Sequence, residues 1–133
     1  MDMTGQKLAA EFKASRANYA DASQCPVRNV LDQIADKWSV LILTSLAARP
    51  YRFGELKREI GDISQRMLTQ TLRNLQAGGM IEREVFPTMP PSVEYRLSPM
   101  GQSFLKPLSA LVEWAVANQP AIREARETFA KAA

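Results

Sequence analysis

Hydrophobic residues recur along the chain with two periods, and the changes of period divide it into elements. Over Gln6 to Tyr19 only Leu8, Phe12 and Tyr19 are large and apolar among Ala, Lys, Glu and Arg, which predicts a weakly amphipathic helical arm. A break at Asp21 to Gln24 precedes Cys25-Pro26, and proline suits the first position of a helix. Val27, Val30, Leu31 and Ile34 then follow at helical spacing. Trp38, Val40, Leu41, Ile42, Leu43 and Leu46 are apolar nearly all round, which predicts a helix buried at the domain centre and ended by Arg49-Pro50. Tyr51-Arg52-Phe53 is short and β-prone. Phe53, Leu56 and Ile60 stripe a short helix that stops near Gly61, the first half of a helix-turn-helix.

Asp62-Ile63-Ser64 carries turn and cap chemistry, with Ser64 as the start of the next helix. Leu68, Leu72 and Leu75 lie at i, i+4 and i+7 on one face, and Gly78-Gly79 ends the helix. Ile81, Arg83 and Val85 alternate with Glu82, Glu84 and Phe86, and Val93, Tyr95 and Leu97 with Glu94 and Arg96, the period of two strands. Pro87 to Ser92 joins them in a stiff, protruding loop. Ser98-Pro99 caps a long C-terminal helix bearing Phe104, Leu105, Leu108, Leu111, Val112 and Ala115, with Pro107 expected to bend it. The order is that of a winged helix-turn-helix, mainly α with a small β-wing.

Length and composition narrow the function. The chain of 133 residues fits one domain with terminal helical arms. Neither a membrane span nor a signal peptide is read from it, so a cytoplasmic address is expected. His is absent and Cys25 is the only cysteine. That composition excludes a Cys/His metal cluster, a His-based catalytic dyad and an internal disulfide. The carboxylate pairs Asp32/Asp36 and Glu55/Glu59 read as solvated helix faces rather than acid/base machinery. No enzyme, metal or cofactor is expected. The net charge of +3 sits in one segment: between Arg49 and Leu75, six basic residues face three acidic ones.

A helix that reads duplex DNA must bury one face and offer the other to base edges and phosphates. Opposite the leucines lie Gln65, Arg66, Thr69, Gln70 and Arg73: Arg can fork onto guanine, Gln bridge adenine and Thr touch a thymine methyl. No carboxylate occurs from Ser64 to Gly79. The tip, Thr88 to Ser92, has no Lys or Arg, so contact through it, with Thr88 as a candidate, falls on backbone or shape. A plain structural turn is the alternative there.

The motifs Cys25-Pro26-Val27, Asp36-Lys37-Trp38, Arg52-Phe53-Gly54-Glu55-Leu56, Ile63 to Thr69, Leu72-Arg73-Asn74-Leu75 and Pro90 to Leu97 closely resemble those of HxlR-type winged-helix transcriptional regulators, relatives of the MarR group. The resemblance covers Cys25 to about Ala117. It implies a homodimer on pseudo-palindromic double-stranded DNA, with terminal helices in the dimer interface. The implied organisation is a helical arm over 1–24, a winged core over 25–98 and a dimerisation helix and tail over 99–133. Carried over, the DNA-reading residues are Ser64, Gln65, Arg66, Thr69, Gln70 and Arg73, with Arg52 and Lys57 on phosphates and Trp38, Phe53 and Tyr95 in the core. Some members sense quinones, aldehydes or oxidants through the cysteine at the position of Cys25. A thiol at a helix N-terminus near Arg28 favours the thiolate that such sensing needs. A small cap residue before Pro26 explains the same cysteine structurally. Where members join two different cysteines between subunits, this chain departs from them. A winged helix serving protein–protein contact is the alternative function.

Overall fold

Ile42, Leu43, Leu56, Ile63, Leu68, Leu72 and Leu75 converge from successive segments and are each 2% exposed or less. They form the centre of the core in a computed structural model that describes residues 4–17, 25–34 and 36–132. Around them run α1 (Thr4–Ala17), α2 (Pro26–Ile34), α3 (Lys37–Ala48), β1 (Tyr51–Arg52), α4 (Phe53–Ile60), α5 (Gln65–Ala77), β2 (Ile81–Phe86), β3 (Ser92–Leu97), α6 (Pro99–Ser103) and α7 (Leu105–Ala132). Tyr19 and the break at 21–24 lie outside the described residues.

The caps explain most boundaries. Asp36 accepts from the Ser39 amide at 2.9 Å and opens α3, while the Arg52 amide donates to Glu55 Oε1 at 2.8 Å and opens α4. Gly61, with φ of 89°, ends α4 in a conformation costly for a side chain. Asp32 and Asp36 thus stand on two elements rather than on one helix face, and Asp36 and Glu55 serve as caps.

Three expectations need correction. Helix α3 is not buried all round: Ser39, Ile42, Leu43 and Leu46 face the core, but Leu41 is exposed and Trp38 and Val40 are half-buried. On its outer side Thr44 and Ala47 line an apolar groove together with Leu105, Leu108 and Val112 of α7. The C-terminal helix is two helices. Pro107 has no N–H to reach the Ser103 carbonyl, and α6 ends at Ser103. Pro107 then falls in the first turn of α7, where its missing donor has no intrahelical acceptor, and the interior proline is Pro120.

The wing is three-stranded, in the order β1-β3-β2 and antiparallel throughout. Tyr51 pairs with Tyr95 and Ile81 with Leu97, so the start of α4 is tied to the wing.

Candidate nucleic-acid interface

Helix α5 begins at Ser64, whose Oγ accepts from the Met67 amide at 3.0 Å. Leu68, Thr71, Leu72 and Leu75 are buried, and the Thr71 hydroxyl donates to the Met67 carbonyl at 2.7 Å, which removes the cost of burying it. The other face is wholly exposed. Gln65, Arg66, Thr69, Gln70 and Arg73 line one shallow surface together with Asn74 and Ala77. Thr69 donates its hydroxyl to the Gln65 carbonyl at 2.9 Å, which commits the proton and leaves the methyl group as its outward chemistry.

Charge on this side is available. Among the described residues the ion pairs are Arg49 with Glu55 and Arg96 with Glu82 and Glu84, so Arg52, Lys57, Arg66 and Arg73 make none. The Arg52 amide holds the Glu55 carboxyl below the usual carboxylate range, with Arg49 adding to the effect. On the wing, Glu84 and Glu94 stand directly opposite each other, a repulsive pairing that Arg96 relieves from the neighbouring register position.

The tertiary structure brings Arg52, Phe53 and Gly54 against Thr88, Pro90, Pro91, Ser92 and Val93 across a groove of mixed polar and apolar lining. Thr88 Oγ1 donates to the Pro90 carbonyl at 2.7 Å, so it braces the tip, while Met89 at the apex is 97% exposed. Lys57 lines neither this groove nor the α5 surface.

Cys25 lies apart from both. It is 1% exposed, immediately before α2, with Sγ 3.8 Å from Ser15 Oγ of α1. The Arg28 backbone N–H draws the thiol below its usual pKa against the opposing effect of burial, helped by the Ser15 hydroxyl, the Val27 N–H and the charge of Arg16. Arg28 therefore acts through its amide, and the stabilising cation is Arg16, which stands on another helix.

Residues 33–123 match the family described as HxlR-like helix-turn-helix, more than half of the chain. The chain belongs to the HxlR-like family. It is similar to the HTH-type transcriptional regulator YtfH of Escherichia coli strain K12, 40% identical over 106 residues that cover 80% of this chain and 84% of YtfH. Among solved structures it is similar to the transcriptional regulator ytfH from Salmonella typhimurium, with 38% identity and a TM-score of 0.72 over 82% of this chain and 97% of that one. It is also similar to the redox regulator HypR in its oxidized form, with 38% identity and a TM-score of 0.67 over 71% and 97% of the two chains.

Membership makes this HxlR-like chain a helix-turn-helix transcriptional regulator, in a family of regulators rather than of enzymes. The match begins at Gln33, so Cys25 and α1 lie before it. Of the residues expected to read DNA, Gln65, Arg66, Thr69, Gln70 and Arg73 come together, and Ser64 is their cap. Trp38, Phe53 and Tyr95 pack half-buried on the core. The α5 surface of this HxlR-like chain also includes Asn74, one helical turn beyond Gln70 and not among the residues expected from the sequence. Among the described residues no helix is long and apolar enough to cross a membrane.

Proposed function

We propose that this regulator binds duplex DNA as a homodimer, with α5 of each copy lying in the major groove. Gln65 and Arg66, in the first turn, meet base edges together with Thr69 and Gln70. Arg73 meets phosphate, as do Arg52 and Lys57, and the braced loop at Thr88 follows the backbone. The observation that carries this reading is the carboxylate-free outer face of α5, whose arginines have no ion pair among the described residues and whose inner face is locked in the core. Titration of the full chain on duplexes selected from random sequence tests it: log affinity should fall with log salt by about 0.9 per phosphate contact. A flat salt dependence would favour a protein-contact role instead.

The arms over 1–24 and 99–133 support the dimer. Leu8 and Phe12 on α1, and Leu111, Trp114, Val116 and Phe129 on α7, are exposed apolar groups that a single copy leaves in water. A C2 pair of such faces is the commonest way to cover them. The regulator would act in the cytoplasm, where its operator lies.

The likeness to the redox regulator HypR, and the thiolate-favouring surroundings of Cys25, support an oxidant or small electrophile as effector. With one cysteine per chain, modification joins Cys25 to its own copy, to a small thiol, or to the electrophile itself.

A further inference from the structure

The junction that leaves α5 is gripped from one side by Ser98. The Met80 amide donates to the Leu75 carbonyl at 2.9 Å and the Gly79 amide to the Gln76 carbonyl at 3.0 Å, so both residues are bonded back onto α5. Their own carbonyls go to Ser98: its hydroxyl donates to Gly79 and its amide to Met80, the latter at 3.1 Å. The same Oγ accepts from the Gly101 amide at 3.0 Å and caps α6. Ser98 is 7% exposed, so these bonds are shielded from water. A hydrogen-bonded path thus runs from α5 through Gly79 and Met80 to Ser98 and on to α6.

Packing makes this path stiff. A Cβ on Gly101 would lie 2.2 Å from the Met80 carbonyl oxygen, so α6 sits on backbone that cannot give way. On the far side of the junction, the atoms of α2 nearest to a Cβ on Gly78 are those at the end of the Gln33 side chain, which can rotate aside. Helix α7 also meets the core directly, with Leu108 buried and Leu105 and Val112 packed against it, beside a groove of about 260 Å³ that α3 shares.

We propose that Ser98 is the positioning residue that locks α5 to the α6–α7 arm, so that the pairing of two arms dictates the separation of the two half-sites. This inference rests on the homodimer reading above. In it, α5 moves with α6 as one body, and the dimer reads spacing as well as sequence.

The test uses the full chain and duplexes with two half-sites, recovered by selection and respaced in single base-pair steps around one helical turn. Ser98→Asp keeps an acceptor for the Gly101 amide but has no proton for the Gly79 carbonyl. Ser98→Thr keeps both. Wild type and Ser98→Thr should lose about tenfold or more in affinity at two base pairs from the optimum, given that half-sites follow the helical repeat. Ser98→Asp should lose less than about threefold there while sedimenting as a dimer and binding a single half-site as wild type does, since its base contacts are unchanged. Where Ser98→Asp fails to fold by circular dichroism, Ser98→Ala breaks the same bond without added charge and carries the same expectation. A dimeric variant with the wild-type spacing profile would overturn this inference alone. A monomeric wild type would overturn the dimer reading and this inference with it.

Discussion

Ser64 Oγ accepts the Met67 amide at 3.0 Å, and that bond sets where the first turn of α5 begins. Because Gln65 and Arg66 lie in that turn, the cap positions the residues assigned to base edges. Ser64→Ala should lower stability by about 1 kcal/mol. For a domain of this size the melting temperature should then drop by about 4 °C. Ser64→Asp retains the cap and the melting temperature but places a carboxylate beside the DNA, so it should weaken binding at unchanged stability. Circular dichroism melts and anisotropy titrations on the three proteins separate cap from contact.

Arg66 and Arg73 should fail differently. A lost base contact costs about 1 to 3 kcal/mol at one position, whereas a lost phosphate contact weakens all sequences alike and lowers the salt slope by about one. Arg66→Ala is expected to narrow the gap between selected and random DNA. Arg73→Ala should weaken both in parallel. Titrations of each variant at several salt concentrations decide it, and operator affinity unchanged in Arg66→Ala would remove α5 from the reading role.

Two glycines at the α5–β2–α6 junction make opposite predictions. Gly101→Ala forces a methyl against the Met80 carbonyl and should cost about 1 to 3 kcal/mol, the usual penalty of overpacking. Gly78 has an ordinary helical φ of −81° and only the Gln33 amide in its way, so Gly78→Ala should stay within about 1 kcal/mol of wild type. Urea unfolding of the pair measures the contrast.

The dimer is tested on α7. Trp114 and Phe129 are 58% and 77% exposed in the single chain. Trp114→Glu combined with Phe129→Glu should shift sedimentation equilibrium from dimer to monomer at micromolar concentration and leave the helical circular dichroism intact. A double variant that stays dimeric would move the interface elsewhere.

The thiol of Cys25 gives a pH prediction. Its folded-state pKa lies below the ordinary value, so the stability it contributes is present above the ordinary thiol pKa and disappears as pH falls through the folded one. Wild type should therefore gain on Cys25→Ser as pH rises through that interval. The thiolate's ultraviolet absorbance, followed against pH, should show a midpoint below that of a free cysteine. Arg16→Ala and Ser15→Ala should raise it, and an unmoved midpoint in both would show that α1 does not tune the thiol.

Local chemistry was enough to place the main elements. The leucine spacing over Leu68 to Leu75, the serine caps at 64 and 98, and the glycines after α4 and α5 act through neighbours in sequence, so α4, α5 and the two long wing strands were legible. The outward face of α5 followed from the same period, because a helix with one buried stripe must expose the rest. Tertiary structure decided the remainder. The sequence marks Tyr51-Arg52-Phe53 as β-prone, but the pairing of β1 with the edge of β3, which sets Arg52 against the wing tip, comes only with the fold. The split of α6 from α7 depends on Pro107 denying one backbone bond, and the sequence alone placed that proline inside a single bent helix. Arg16 beside Cys25, and Ser98 beneath Gly79, join residues nine and nineteen positions apart. No periodicity carries such pairings, because they arise only when separate helices share one core.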